Sequence, residues 1–446
     1  MHRPFTHRLL ALLCLCTALA TASPRAQAQS SSTQSGAHEF DRLLDNAALW
    51  NLTPDEFQSA SAGLPFAWTS SAKDSARASK DSKQSMSLFS VPVVEYLARF
   101  EAGKLSQMTA IFYARGDAGS LTKDQYEALV RKCVESLTQK TAAKPVPRGK
   151  DPTNAVKADG IMWQNPKGYF LLEYSAVREV KTRNIDFRAE FVRLEITSPQ
   201  KKTTGFATAP TRPRFTGALH IERNPASGEV RIKDVPMVDQ GQKGYCVVAS
   251  TERVMRYYGA EVDANELAQI ANSDAERGTS SAAMLSALKK TASRLKVRVR
   301  ELEEQDVKGI LELIKDYNRA AKRAKSPELP DPGRMIDVGA IYSRMQLPIL
   351  KDARTHNKAD LDRFQRKVQT HVDQGIPLLW GVQLGLVSEK GVPQSGGGHM
   401  RLIIGYNTKT KEILFSDSWG AGHECKSMAM DDAWTITTGL TVIEPL

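Results

Sequence analysis

Four side chains of complementary chemistry stand in the second half of the chain, in three segments that are far apart in sequence. Gln240 supplies an amide, Cys246 a thiol, His399 an imidazole and Asp417 a carboxylate. Such groups are needed to form a thiolate, to orient its base and to stabilise an oxyanion. The strongest constraint on the fold is that these distant segments have to meet, with the histidine reaching across a cleft to the thiol.

The length and composition are those of a globular protein with more than one domain. A chain of 446 residues is too long for one ordinary core, so two domains with tails are expected. Apolar residues make up 41% and charged residues 25%, which excludes a disordered or a membrane-embedded chain. The net charge of +11 is scattered and not interleaved with aromatic residues, so no nucleic-acid partner is expected.

The first residues have the pattern of a secretory signal. Arg3 and Arg8 give a positive start, Leu9 to Ala20 form a short apolar run, and small residues follow as a cleavage site. The run is too short to span a bilayer, and no second candidate follows it. We expect a signal peptide over 1–28, a disordered leader over 29–38, and a secreted or periplasmic protein without an integral membrane segment after signal removal.

Cysteine usage suggests a free thiol in the exported protein. Cys14 and Cys16 lie within the signal, which leaves Cys133, Cys246 and Cys425 in the mature chain. An odd count leaves at least one thiol free or in an intermolecular bridge. The economical solution pairs Cys133 with Cys425, although the sequence does not decide whether that bridge forms.

Residues 39–232 are expected to form an α+β accessory domain, helical to about residue 141 and β-rich from about 155. Apolar residues at helical spacing predict a helix over Val91 to Phe100, whereas alternating apolar residues predict strands from Gly168 onward. The domain contains no evident catalytic grouping. Two roles stay open: a built-in inhibitor that restrains the site, or a surface that presents the substrate.

Residues 233–446 are expected to form the second domain, with helices first and strands last. Cys246 to Tyr258 predict a helix that ends at Gly259 in the left-handed conformation. Asp263 is placed to cap the next helix, and strands dominate the end of the chain. Segregated helices and strands imply two lobes, so the fold class is α+β.

Cys246 stands where an extended segment turns into that first helix. Free N–H groups and the macrodipole at a helix N-terminus favour a thiolate, so the pKa of Cys246 is expected to fall. The plain alternative is that Cys246 is a small buried hydrophobic residue.

His399 and Asp417 are the predicted base and its orienting carboxylate. His399 opens a strand after a Gly-rich loop, and Asp417 is placed to accept its Nδ1–H, which leaves Nε2 facing the sulfur. His423 also flanks the Asp417 strand, but His399 is better placed. The alternatives are a surface histidine at a strand start and an aspartate in a turn, and Trp419 is either a lid over the hydrogen bond or a core tryptophan.

Gln240 is the predicted oxyanion donor. It lies six positions before Cys246, so its side-chain amide can act beside the backbone N–H of Cys246. Gln242 is the alternative donor, and the plain reading of either residue is a solvated loop glutamine.

These motifs resemble those of a known family. The segment Gln-Gly-x-x-Gly-x-Cys resembles the active-site entry of papain-like cysteine peptidases, His399 with Gly405-Tyr406 resembles their His-to-Gly-Tyr strand, and Asp417-Ser-Trp-Gly resembles their Asn-Ser-Trp-Gly. The resemblance covers residues 234 to 446 and extends to the wider papain-like clan that includes double-glycine leader peptidases. It implies a two-lobed fold in which a helical lobe carries the cysteine and an antiparallel β lobe carries the histidine and aspartate.

The chain departs from the papain pattern at three positions. Lys243 stands where the secreted papain group has a disulfide cysteine, Val247 replaces an aromatic residue, and Asp417 replaces Asn as in the leader peptidases. These departures leave the chemistry intact but put substrate preference in doubt.

The sequence therefore favours an exported cysteine peptidase that cleaves a peptide or protein substrate and needs no cofactor or metal. Cys246 is the predicted nucleophile, His399 the base, Asp417 its orienting group and Gln240 the oxyanion donor. An acyltransferase or deamidase using the same acyl-thiol intermediate stays open. So does a catalytically inactive papain-like binding module, and the oligomeric state is not predicted.

Overall fold

The computed structural model describes most of the chain after the predicted leader. The described residues are 38–79, 85–148, 156–180, 185–200, 215–241, 244–260, 262–273, 278–333, 336–394 and 396–446. The predicted signal peptide, nearly all of the predicted leader, Gln242 and Lys243 lie outside them. By internal contacts, Ala37–Leu446 form one compact unit, so the division into two domains stays a prediction.

Up to residue 200 the described structure consists mainly of strands, and we call this part the N-terminal region. Its strands are β1 (His38–Glu39), β2 (Ala67–Trp68), β3 (Ser75–Ser79), β4 (Met86–Leu88), β5 (Val91–Val93), β6 (Glu95–Glu101), β7 (Lys104–Ala114), β8 (Val146–Pro147), β9 (Asp159–Asn165), β10 (Gly168–Val180) and β11 (Ile185–Thr197). Its helices are α1 (Asp41–Leu44), α2 (Pro54–Ala60), α3 (Arg115–Ala118) and α4 (Lys123–Thr141), with a 3₁₀ turn at Leu49–Asn51.

Residues 217–446 form the C-terminal region, which mixes helices and strands. Its strands are β12 (Ile221–Asn224), β13 (Glu229–Ile232), β14 (Val297–Glu304), β15 (Leu378–Leu384), β16 (Gly397–Asn407), β17 (Glu412–Ser416), β18 (Lys426–Ala429) and β19 (Thr437–Pro445). Its helices are α5 (Cys246–Tyr257), α6 (Ala264–Ile270), α7 (Ser281–Leu295), α8 (Val307–Ala324), α9 (Val338–Tyr342), α10 (Leu347–Thr355), α11 (Lys358–Val372) and α12 (Met430–Ile436), after a 3₁₀ turn at Gly217–His220.

The N-terminal region is built on an antiparallel sheet with the strand order β2-β3-β6-β7-β11-β10-β9-β8. Helix α4 packs across β9, β10 and β11, and it starts at a capping box in which Thr122 accepts from the N–H of Gln125. Apolar side chains such as Phe170 and Leu172 alternate along the strands and are buried beneath it. This core is separate from that of the C-terminal region.

The C-terminal region has its own sheet, in the order β12-β13-β16-β15-β19-β14, with β17 and β18 continuing from β16. Helices α5 and α11 pack on β16, and α7 packs on β14. Strand β16 is buried along most of its length. Because it pairs with β13, β15 and β17, it is the element around which the site is arranged.

The mixture of helices and antiparallel strands confirms the α+β class, and several predicted local features of the C-terminal region are confirmed. Helix α5 covers the predicted segment, and Gly259 after it has φ +73°. Asp263 caps α6 by accepting from the N–H of Glu266.

The prediction that the N-terminal region is helical to about residue 141 is wrong. Val91 to Phe100, predicted as a helix, forms β5 and β6, and β6 pairs with β3 and β7. The segment begins with valines on either side of Pro92, which suit a strand. Its helical spacing was overridden because sheet pairing buries Tyr96 and Ala98 completely.

The predicted boundary after residue 232 is also wrong in detail. Strands β12 and β13 form a hairpin, and β13 pairs with β16 of the C-terminal sheet. The C-terminal sheet therefore starts at Ile221, because this hairpin finds its partner in a strand nearly 180 residues later, a pairing that local sequence does not encode.

The bridge between Cys133 and Cys425 that the sequence left open is not formed, and both residues are free thiols. Cys133 lies on the buried face of α4, where burial raises the pKa of its thiol to about 12. Cys425 is on the surface between β17 and β18. The two sulfurs thus belong to different regions of the molecule.

Candidate active site

Cys246 is the first residue of α5 and is half-buried. The helix forms because its apolar residues, including Val248 and Met255, are buried against the C-terminal core. Ser250, one turn beyond Cys246, donates from Oγ to the carbonyl of Met400 at 3.3 Å. This contact ties the start of the helix to β16, beside His399.

The loop before Cys246 is shaped by close backbone approach. Gly244 lies so near Gly278 that a Cβ on either residue would clash with the other, and the N–H of Thr279 donates to the Gly244 carbonyl at 3.2 Å. The glycine of the Gly-x-Cys motif is therefore required by packing against the segment that leads into α7.

His399 lies on β16, opposite Val382 of β15, and is 4% exposed. Its Nε2 lies 3.1 Å from Oδ1 of Asp417, which directly follows β17. Its Nδ1 is buried and makes no hydrogen bond of ordinary geometry with any described residue. The structure thus brings the predicted base and carboxylate together.

The nitrogen assignment made from the sequence is the reverse of the one observed. Asp417 contacts Nε2, not Nδ1, and the Cys246 sulfur interacts with the backbone N–H of Met400 as well as with the His399 ring. The sulfur therefore sits close to the main chain of β16. The ring nitrogen nearer the main chain is Nδ1, so Nδ1 is the one left on the sulfur side.

Cys246 and His399 shift one another's pKa in opposite directions. Burial acts to raise the pKa of Cys246, but the interaction with His399 and the backbone N–H groups of Met400 and Val247 together outweigh burial, and the pKa lies below its usual value. Burial acts to lower the pKa of His399, but Asp417 and Cys246 together bring it above its usual value. Both shifts favour a thiolate beside an imidazolium.

Asp417 is completely buried and surrounded by cations. Burial acts to raise its pKa, but the hydrogen bond from His399 and the charges of Arg401 and Lys426 bring the pKa below its usual value. Arg401 donates from Nε to Oδ1 at 2.8 Å, and Lys426 Nζ lies 3.3 Å from Oδ2. The carboxylate is therefore held ionised next to the histidine.

The sequence reasoning missed Arg401. Its guanidinium forks onto both oxygens of Glu389, at 3.1 and 2.9 Å, while Nε reaches Asp417. The sequence did indicate that Arg401 is unusual. It stands in an apolar run two residues after His399, so both side chains lie on the same face of the strand, and a buried arginine needs a charged or polar partner.

Trp419 stacks on His399, with ring centroids 4.2 Å apart and an angle of 8° between the planes. The indole therefore covers the imidazole and its bond to Asp417, as the lid reading anticipated. His423 lies against Lys426 at 2.8 Å and edge-on to Trp419, so it is His399 whose ring meets the carboxylate.

Gln240 is buried in the loop before Cys246 and is anchored to the segment after Asp417. Its N–H donates to the Ser418 carbonyl at 2.8 Å, and Ser418 Oγ donates to its Oε1 at 2.6 Å. These bonds hold the carboxamide oxygen against Ser418. The NH₂ group is the part of the carboxamide that can donate to an oxyanion. The oxyanion role of Gln240 stays a prediction.

The described residues contain neither a metal-ligand cluster nor a membrane-spanning helix. No three His, Cys, Asp or Glu side chains in the described ranges converge as metal ligands would. None of the helices in the described part of the chain combines the length and hydropathy needed to cross a bilayer.

Comparison with known proteins finds a family match in the C-terminal region. Residues 279–442 match the Peptidase_C39 like family. The predicted resemblance is thus confirmed for the C-terminal part. The match includes His399 and Asp417 but begins after Gln240 and Cys246, so it does not extend to the predicted nucleophile.

A solved structure is also similar, but too weakly to support an argument. Xylellain, a cysteine protease from Xylella fastidiosa, is similar at 14% identity over 52% of this chain and 90% of its own, with a TM-score of 0.26. A TM-score this low does not establish a common fold. No curated protein matches the chain.

Proposed function

We propose that this protein is an exported cysteine peptidase with Cys246 as the nucleophile. The observation that carries the proposal is the pair of opposed pKa shifts at Cys246 and His399, together with the bond from His399 to Asp417. The family that residues 279–442 match is named for peptidases, which cleave peptide bonds, and these residues include His399 and Asp417. The arrangement we propose is papain-like, with the cysteine on a helix and the histidine and aspartate on the sheet.

In the proposed mechanism the Cys246 thiolate attacks the carbonyl carbon of a peptide bond. The Nδ1–H of the His399 imidazolium then protonates the leaving amine, which leaves an acyl-thiol on Cys246. Asp417 holds the imidazolium in place through Nε2. Gln240 and the backbone N–H of Cys246 stabilise the oxyanion, and a water molecule activated by His399 hydrolyses the acyl-thiol.

Alkylation of Cys246 by iodoacetamide as a function of pH tests the ion pair. The pair exists between the lowered pKa of Cys246 and the raised pKa of His399, so alkylation is expected to persist well below the free-thiol pKa of about 8.5. Cys425 in the same protein is an internal control, since burial raises the pKa of its thiol despite the nearby Arg231. Peptide mass spectrometry reports both sites in one sample.

The same experiment on His399→Ala is expected to return the Cys246 profile to that of an ordinary thiol. A wild-type profile no different from that of Cys425 would refute the ion pair. Digestion of denatured casein then separates the chemistries, because shortened chains indicate peptidase action and intact chains one dalton heavier indicate deamidation.

The proposal of export rests on the N-terminal segment, with its two arginines and apolar run from Leu9 to Ala20. Expression of the full chain in a bacterial host, with mass analysis of the periplasmic and medium fractions, tests it. Protein that stays in the cytoplasm with an intact N-terminus would contradict export.

A further inference from the structure

A buried arginine of the N-terminal region reaches the residues on either side of Gln240. Arg77 of β3 is 8% exposed; its Nε donates to Glu95 of β6, and its Nη1 lies 3.8 Å from Oδ2 of Asp239. Burial acts to lower the pKa of Arg77, but Glu95 and Asp239 raise it above its usual value, so the guanidinium stays charged. A fixed cation from the N-terminal region thus stands against the residue that precedes Gln240.

The same guanidinium packs on the backbone of the residue that follows Gln240. Gly241 has φ +63°, and a Cβ at this position would collide with the end of the Arg77 side chain. The N–H of Gly241 donates to Oδ1 of Asp239 at 2.8 Å. One oxygen of Asp239 therefore closes the turn, while the other faces Arg77.

Gln240 is consequently held from two sides. Ser418 fixes its backbone N–H and its side-chain oxygen from the strand end that carries Asp417. Arg77 fixes the residues on either side of it through Asp239 and Gly241. Gln240 is therefore fixed through its own bonds to Ser418 and through the residues on either side of it.

We propose that Arg77 is a positioning residue, which holds the Asp239–Gly241 turn so that the Gln240 amide points to where the oxyanion forms. The inference rests on the proposed thiol mechanism. It assigns the N-terminal region a task that the sequence did not suggest, namely completing the oxyanion site instead of inhibiting it or presenting substrate.

Two small reagents separate the oxyanion donor from the thiolate. The Cys246 thiolate attacks the carbonyl carbon of p-nitrophenyl acetate through an oxyanion, releases p-nitrophenolate and becomes an acetyl thioester. With iodoacetamide the thiolate displaces iodide from a saturated carbon, and no oxyanion forms. The ratio of the acylation rate to the alkylation rate at Cys246 therefore reports the oxyanion donor alone.

Arg77→Met is expected to lower this ratio by about 10- to 100-fold, because losing an oxyanion donor outright costs on the order of 10²–10³. Its alkylation profile with pH is expected to stay that of the wild type, which a general loss of structure would not allow. Arg77→Lys keeps the charge but not the fork, so a smaller decrease is expected.

The matched control is Arg99→Met. Arg99 also links the two regions, but its contact is with α5, where Nη2 lies 3.5 Å from Oε1 of Glu252. Its removal is expected to leave the ratio within about twofold of the wild type, because Arg99 is itself partly exposed and its buried partner Glu252 keeps Arg256 as a second cation.

The assignment is overturned if Arg77→Met keeps the wild-type ratio, or if Arg99→Met lowers the ratio equally. If Arg77→Met does not fold, Asp239→Asn decides, since it retains the turn but loses the charge facing Arg77 and is expected to lower the ratio in the same direction. If Cys246 of the wild-type protein reacts with neither reagent, the thiol mechanism itself is refuted, and so is the positioning role of Arg77 that rests on it.

Discussion

The two sides of the candidate site are held in different ways. His399 and Asp417, which we call the base side after their predicted role, lie on β16 and directly after β17, and β16 pairs with both β15 and β17. The predicted nucleophile side, residues 239–241 and 244–246, is positioned by individual contacts that include Ser418, Gly278 and Arg77. In paired strands, many backbone hydrogen bonds together fix the position of each residue, whereas the position of a loop residue depends on a few contacts.

This difference predicts where substitutions act. Changes on the base side meet a rigid scaffold, so they act on charge and leave the backbone in place. Changes around the loop act on geometry, because few contacts define it. The family match, which covers the base side and starts after the loop, follows the same division.

The largest expected effect comes from removing the sulfur. Cys246→Ser replaces a thiolate with a hydroxyl that stays protonated, so acylation by p-nitrophenyl acetate is expected to fall by on the order of 10³ or more. Cys425→Ser, which changes an exposed thiol between two strands, is the control and is expected to retain the rate. Equal losses in the two variants would mean that Cys246 is not the nucleophile.

The next effect tests the charge on the base side. Asp417→Asn removes a buried carboxylate and leaves the fully buried Arg401 with Glu389 as its remaining charge partner, so the free energy of unfolding is expected to fall by about 2–3 kcal/mol. Urea denaturation measures the loss. The dependence on pH gives a further test. Because the pKa of Asp417 is lower in the folded protein than in the unfolded chain, Asp417 stabilises the fold at pH values above its unfolded pKa. This contribution is lost as the pH falls through the pKa of Asp417 in the folded protein.

A surface pair provides the matched control for that substitution. Asp373 also meets an arginine, with Oδ1 at 2.8 Å from Nη2 of Arg223, but both side chains are partly exposed. Asp373→Asn is expected to cost no more than about 1 kcal/mol. Similar losses in the two variants would contradict the special role of burial at Asp417.

The smallest effect concerns the stacked indole. Trp419→Ala removes a ring that lies 4.2 Å from His399, and an aromatic pair of this kind contributes about 0.5–1.5 kcal/mol. Alkylation of Cys246 near pH 6 is expected to fall by up to about tenfold, and Trp419→Phe is expected to keep most of the rate. An unchanged rate in Trp419→Ala would show that the sheet alone orients the imidazole.

Much of the site was accessible from the sequence because its signals are local. The glycines before Cys246, the helix that begins there and the strand that begins near His399 are each encoded within a dozen residues. The reversed histidine nitrogens were not accessible, because they depend on where the sulfur lies relative to the backbone of β16. Arg401 left a local signal, but its partner Asp417 becomes evident only when β16 and β17 pair.

The N-terminal region shows the limit of local patterns. Val91 to Phe100 has apolar residues at helical spacing, yet it forms strands because neighbouring strands on both sides bury its side chains. Helices α9 and α10 were also missed, in a stretch with Pro and Gly residues where periodicity is weak; they pack with α8 around a small separate core.

By itself, the sequence determined the order and chemical identity of the amide, thiol, imidazole and carboxylate, as well as the helix that begins at Cys246. Tertiary structure alone decided which histidine nitrogen meets Asp417, that Arg401 neutralises it, and that Arg77 presses on the Gln240 loop. The physical reason is distance along the chain. Helix starts and tight turns depend on neighbouring residues, whereas contacts between residues 77 and 239, or between 399 and 417, exist only after the strands have paired.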